Sequence, residues 1–325
     1  MAPETIIMIV GFSLAAYSIV ANDAIQTLGT FLAANQNRPW WVLWGFACAI
    51  LSAVLIWGWA SSGGDPAYGR LTKFPMPPGG IGLMYLVPPL VILILTRYGV
   101  PVSTTFLILT VFAVGAGAQQ NVGAMLVKSG MGYGVAFVVS IVLYYTLFRP
   151  MTEHFDRSAG QPVPGYWVAL QWASTAFLWS QWLIQDLANI FAYLPRQLTG
   201  LELTAALVWL LVLHAWIFRG NGGAIQKIVT SKTGTVDIRG AAIINLVYGA
   251  ILLVFKEASN MPMSTTWVFL GLLAGREFAI SFHMYTPSPR RTFRIVTLDA
   301  AKAALGLVVS LALAFGLPLV FGLTI

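Results

Sequence analysis

Apolar stretches about as long as a lipid bilayer is thick recur from one end of this chain to the other, and no other feature restricts its fold as strongly. Trp41 to Ala60, Ile81 to Thr96, Tyr133 to Phe148, Leu203 to Ile217 and Ala303 to Ile325 are such runs. Each is long enough, or nearly so, to cross roughly 30 Å of hydrocarbon as a helix. Backbone polar groups in lipid must be paired within the chain, so spanning segments are helices or closed barrel strands. Unbroken apolarity without period-two alternation excludes the barrel. Composition agrees: 58% of residues are hydrophobic and 9% charged, against roughly 25% charged in a soluble domain. The expectation is an all-α polytopic membrane protein embedded in a lipid bilayer.

Thr5 to Ala21 lacks a basic n-region and follows Glu4, so it reads as a retained first span rather than a secretion signal. The single cysteine, Cys48, lies in an apolar run, which leaves no disulfide framework and no multi-cysteine metal site. The net charge of +7 comes from Lys and Arg in short connections, with clusters at Arg219 to Arg239 and Arg290 to Lys302. That is the pattern of cytoplasmic loops under the positive-inside bias, as in a bacterial inner membrane, and not of a nucleic-acid partner.

The chain also repeats itself. Arg149 to Gly165, with three prolines and several charges, reads as a linker (150–165) between an N-terminal repeat (1–149) and a C-terminal repeat (166–325). In the first, Asn22-Asp23 precedes Pro101-Val102-Ser103-Thr104-Thr105. In the second, Gln185-Asp186-Leu187-Ala188-Asn189 precedes Pro262-Met263-Ser264-Thr265-Thr266. The aspartate-to-serine interval is 80 residues in the first (Asp23 to Ser103) and 78 in the second (Asp186 to Ser264). Two polar islands in apolar sequence at matched spacing indicate an internal duplication. Each repeat has room for about five crossing or re-entrant segments, ten to twelve in all. An odd number per repeat inverts the second relative to the first.

Proline ends one structure and serine caps the next, so a Pro-x-Ser-Thr-Thr run restarts a helix at membrane depth. Unpaired N–H groups, a partial positive charge and neighbouring hydroxyls make such an N-terminus a seat for an oxyanion. Two of them, one per repeat, can hold one tetrahedral anion. Asp23 and Asp186 require a cation to stay ionised at that depth. Neutral oxygens from Asn22, Gln26, Gln185 and Asn189, with unwound carbonyls, suit sodium, and a carboxylate coupled to proton movement is the alternative.

These residues resemble the inorganic phosphate transporter (PiT) family, which carries a G-A-N-D-V-x-N-A-x-G-[TP] motif and a P-V-S-T-T-H motif in each half. Val20 to Thr30 and Gly99 to Thr105 follow the two motifs, Gln185 to Asn189 and Pro262 to Thr266 follow them more loosely, and Gly223 to Ile228 looks like the family's glycine-lysine loop. The resemblance implies a symporter of two inverted repeats with broken helices, moving inorganic phosphate, or in some members sulfate, with sodium or protons, and not an enzyme. Anion binding carries over to Ser103, Thr104, Thr105, Ser264, Thr265 and Thr266. Cation binding carries over to Asn22, Asp23, Asp186 and Asn189, with the sodium on Asp23 and Asp186; no covalent cofactor is implied, and a homodimer is left open. Phe106 and Trp267 stand where the family has histidine, and Gln26 and Gln185 where it has asparagine.

Lys256-Glu257 and Arg276-Glu277 read as interfacial ion pairs or as gates, Lys128 as a lysine snorkelling to the headgroups, and His214 as a packing residue. Most of the twelve tryptophans fit an interfacial belt. No G-x-x-x-x-G-K-[ST], H-E-x-x-H or G-x-S-x-G run occurs, so energy must come from an ion gradient and hydrolase parts are missing. A non-transporting scaffold of the same fold remains the competing class. Asp23→Asn separates the two, since only a symporter loses ion-dependent uptake.

Overall fold

A computed structural model describes residues 3–98, 102–149, 151, 163–220, 222, 238–284 and 289–321. Most of the expected linker and the glycine-lysine loop at Gly223 to Ile228 lie outside them. Among the described residues the chain is helical, with no strand. Helix α1 (Pro3–Ile19) passes through a π-helical turn (Val20–Ala24) into α2 (Ile25–Ala34). Then come α3 (Trp40–Ser61), two 3-10 turns (Arg70–Lys73 and Leu83–Leu86), α4 (Val87–Arg97), α5 (Thr104–Gly115) and α6 (Gln120–Leu143). After the linker come α7 (Gly165–Phe191), α8 (Gly200–Arg219), α9 (Ile238–Ala258), α10 (Thr265–Met284) and α11 (Pro289–Val320).

The helix starts follow from local chemistry. Pro39 and Pro164 immediately precede α3 and α7, where a fixed φ favours entry into a helix. Thr199 and Glu202 form a reciprocal capping box at α8. Among the described residues, six helical stretches are long and apolar enough to cross a membrane: Pro3–Ala34, Trp40–Ser61, Gln120–Leu147, Gly200–Arg219, Ile238–Ala258 and Arg290–Val320. Large apolar side chains such as Trp57, Val138, Trp216, Val254 and Val308 face outward. A surface of that kind is wetted by lipid rather than water. The protein is an integral membrane protein.

The helices do not sort into two lobes by sequence. α6 packs along α10 and α5 along α11, while α7 packs on α9 and α1 on α4. The closest cross-pairing, α6 with α10, is built on small residues. A β-carbon at Gly271 would lie 2.4 Å from the Tyr133 carbonyl oxygen, and one at Gly275 2.2 Å from that of Phe137. Only glycine lets the two backbones approach so closely, the small-residue device of membrane helix pairs.

Two expectations change. Asp23 sits in a π turn of a continuing helix and Asp186 inside an uninterrupted one, so the aspartate motifs do not unwind the backbone. Of the four motifs, the Ser-Thr-Thr runs are the ones preceded by non-helical residues, 102–103 and 259–264. Lys128 does not snorkel either: it is 5% exposed, and its Nζ donates to the carbonyls of Ser259 (2.9 Å) and Met261 (2.7 Å). Those unwound carbonyls just before Ser264 are stronger partners for an ammonium than distant headgroups.

Candidate functional site

Helices α5 and α10 begin deep in the bundle, and both are capped as the proline-serine pattern requires. Ser103 Oγ accepts the Phe106 N–H at 3.2 Å, and Ser264 Oγ accepts the Trp267 N–H at 3.2 Å. Each cap satisfies one of the free donors of the first turn and leaves the N–H groups of the two threonines without an intrahelical acceptor. Ser129 on α6 fixes the second start by accepting the Ser264 N–H at 2.9 Å.

The two starts bond to each other in a reciprocal way. Thr105 Oγ1 donates to the Met263 carbonyl at 3.3 Å, and Thr266 Oγ1 donates to the Val102 carbonyl at 3.3 Å. Thus the last threonine of each run meets the residue before the serine of the other. Both runs are buried. Phe106 and Trp267, one residue further on, meet edge to face with ring centroids 5.4 Å apart. Where the family motif has two histidines, this chain has an apolar wall.

The aspartates join the same buried polar cluster. Asp23 is 2% exposed and Asp186 fully buried. Asp23 Oδ2 accepts from the Thr104 hydroxyl, and its Oδ1 accepts from Asn22 Nδ2 (2.8 Å) and Thr266 Oγ1 (3.4 Å). Asp186 Oδ1 accepts from Asn189 Nδ2 (2.7 Å) and Thr105 Oγ1 (3.3 Å). Asn189 Nδ2 also reaches Thr105 Oγ1 (3.0 Å) and Thr104 Oγ1 (3.3 Å), while Gln26 Nε2 closes on Asn22 Oδ1 (3.1 Å). All ten residues singled out from the sequence therefore lie at one place or directly beside it. Thr265 enters through its side chain, which lies against Asp186, and through its carbonyl, which accepts from the Tyr248 hydroxyl at 2.9 Å.

Three buried oxygens here have no hydrogen-bond partner: Asp186 Oδ2, Asn189 Oδ1 and Gln185 Oε1. Unpaired buried acceptors are costly, and hard oxygen donors around a carboxylate are what an alkali cation coordinates. Among the described residues no group of three or more His, Cys, Asp or Glu side chains is placed to hold a metal. A cation here would take carboxylate, amide and hydroxyl oxygens.

The sequence reading missed two kinds of residue. Ser129, Tyr248 and Asn245 support the site from neighbouring helices; Asn245 bridges Thr30 (2.7 Å) and Thr175 (2.8 Å) between α2 and α7. The other is Arg70, in the polar segment after α3, which is buried.

Fold and site together define a class: a polytopic helical membrane protein with a buried polar cluster where two helix N-termini meet. No protein-family model and no curated protein matches the chain. Among solved structures it is similar to a sodium-dependent phosphate transporter, with a TM-score of 0.58, 18% identity, and coverage of 97% of this chain and 100% of that one. At that identity the likeness establishes a shared fold.

Proposed function

We propose that the protein is a secondary transporter that moves inorganic phosphate across the membrane together with sodium, by alternating access. The observation that carries this reading is the reciprocal Thr105 to Met263 and Thr266 to Val102 pairing, which turns two helix N-termini toward one another. An oxyanion between them takes backbone N–H groups, hydroxyl donors and two helix dipoles. The binding residues are Ser103, Thr104, Thr105, Ser264, Thr265 and Thr266. Each hydroxyl that now donates to Asp23 or Asp186 would turn to the anion as sodium takes its place on the carboxylate. Cation and anion then favour each other's binding by direct charge neutralisation.

Sodium is a substrate in this reading, held by Asp186 and Asn189 and, in the other half, by Asp23 and Asn22. The carboxylates also favour phosphate over sulfate: hydrogenphosphate donates a hydrogen bond to a carboxylate, and sulfate has no hydrogen to give. Residues 1–149 and 166–325 are the two inverted repeats, joined by 150–165. The packing supports this, since α6–α10 answers α5–α11, and α1–α4 answers α7–α9.

Purified protein in liposomes is expected to accumulate radiolabelled phosphate under an inward sodium gradient, with unlabelled phosphate competing far better than sulfate. Preferential competition by sulfate moves the substrate to that anion, and a proton gradient replacing sodium changes the coupling ion. If neither anion accumulates under either gradient, the transport reading is wrong.

A further inference from the structure

The segment after α3 is tightly built around a charge that has no partner. Asp65 folds it by accepting the N–H groups of Ala67 (2.7 Å) and Gly69 (2.9 Å). Tyr68 takes a left-handed φ of 58°, and its hydroxyl donates to the Val54 carbonyl at 2.5 Å. Left-handed backbone at a non-glycine residue is uncommon and persists where surrounding contacts impose it. The segment is tied to the other half as well, since Leu198 N–H donates to the Gly64 carbonyl (2.9 Å) and Arg196 to the Phe74 carbonyl (2.7 Å). The next residue in this rigid turn, Arg70, is 1% exposed. Neither of its terminal nitrogens has a hydrogen-bond partner.

A buried guanidinium with free donors is an expensive thing to keep. The acids within electrostatic reach are Asp186, from the site, and Glu257, at the end of α9, and the cations that share its surroundings are Lys128 and Lys73. Burial lowers the pKa of Arg70 only to about 10, with Asp186 and then Glu257 acting to raise it, so the side chain stays charged at neutral pH. Arg70 thus sits buried at the end of the bundle where α3, α7 and α9 finish, with Asp186 of the site within electrostatic reach. Lys128 already gives two of its donors to carbonyls, whereas both terminal nitrogens of Arg70 are unpartnered.

We infer that Arg70 is an anion-recognition residue. Its planar fork pairs with two oxygens of an inorganic oxyanion on the way between that face of the membrane and the Ser-Thr-Thr site. This rests on the transport reading above and adds a specificity element to it. The site presents two carboxylates to an incoming dianion. A fixed positive charge offsets that repulsion before sodium does, and its fork geometry matches an oxyanion in a way that an ammonium does not. The competing role is a countercharge for Asp186, which predicts an effect on sodium instead of phosphate.

Wild type, Arg70→Lys and Arg70→Gln are compared for phosphate uptake in liposomes at varied phosphate and varied sodium. Arg70→Gln is expected to raise the KM for phosphate by about tenfold or more, as loss of a charge-assisted hydrogen bond does, with half-saturating sodium unchanged when phosphate is saturating. Arg70→Lys recovers part of that loss. An unchanged phosphate KM, or a shift confined to sodium, overturns the inference while leaving transport standing. If wild type transports no anion, the transport reading fails separately, and binding is read from thermal stabilisation of the detergent-solubilised protein by inorganic phosphate. Wild type is expected to be stabilised more than Arg70→Lys, which keeps the charge and the fold. Equal or absent stabilisation overturns the inference.

Discussion

Asn22 and Asn189 are the same residue type beside equivalent carboxylates, yet their side-chain oxygens are used differently. Asn22 Oδ1 accepts from Gln26, and both oxygens of Asp23 accept from hydroxyl or amide donors. Asn189 Oδ1, Asp186 Oδ2 and Gln185 Oε1 accept from nothing. The second half is therefore the one with unpartnered acceptors to offer the proposed sodium. Asn189→Ala is expected to raise half-saturating sodium by about tenfold or more beyond what Asn22→Ala does, a difference of about 1.4 kcal/mol in sodium affinity. Sodium titrations of uptake check this, and equal effects of the two variants would sink it. The sequence carried these residues openly, because a carboxylate or hydroxyl within an apolar run has no reason to be there except a partner. It showed that each half keeps a different asparagine, with Gln26 after Asp23 and Gln185 before Asp186, but only the fold shows one amide bonding into the site and the other donating away to the Leu252 carbonyl at 3.2 Å. Arg70 was hidden for the opposite reason: an arginine in a polar loop looks solvated until the loop is seen to fold inward.

Among the elements, α6 and α10 bring the two halves together, since α10 starts at the second Ser-Thr-Thr run and α6 supplies Ser129 to its first residue. Their contact runs through Gly271 and Gly275, with Ser140 Oγ donating to the Leu272 carbonyl at 2.8 Å beside them. Gly271→Val is expected to destabilise the protein by about 1–3 kcal/mol, as overpacking does, and to slow uptake by moving Ser264. Gly134→Ala, on α6 itself, is the control, because nothing lies within 4 Å of a β-carbon there. Thermal unfolding in detergent measures both, and equal stability of the two variants would remove the glycine contact as a determinant. This level was half legible. Proline and serine announce where α5 and α10 begin, but nothing in a row of glycines says which helix will lie against them. Hydropathy also misplaced the breaks, because it cannot tell a polar residue inside a continuous helix, as at Asp186, from one at its end.

At the scale of the whole molecule, side-chain hydrogen bonds fix which helix ends share a face. Trp59 Nε1 donates to the Leu198 carbonyl at 2.7 Å, so the end of α3 lies beside the start of α8. Trp44 Nε1 donates to the Leu211 carbonyl at 3.0 Å, so the two helices run antiparallel, and Asn35 Nδ2 reaches Gln171 Oε1 at 3.1 Å, which joins the end of α2 to the beginning of α7. The face holding the start of α3 and the end of α8 also carries Arg38, Arg149, Arg219, Arg239 and the arginines that begin α11. The opposite face carries Arg70, Lys73, Arg196 and Lys256. In the proposed arrangement the positive-inside bias puts the first of these on the cytoplasmic side. The ends of α3 and α8 lie on opposite faces of the bundle, which is what the proposed inversion of the repeats requires. In a Cys48→Ser background, a cysteine replacing exposed Ser61 is expected to react with an impermeant maleimide on intact cells, and one replacing exposed Arg219 only after permeabilisation. Labelling of both from the same side would overturn the inverted arrangement. Labelling in the reverse order would keep the inversion, turn the protein over in the membrane, and move the entrance guarded by Arg70 to the cytoplasm.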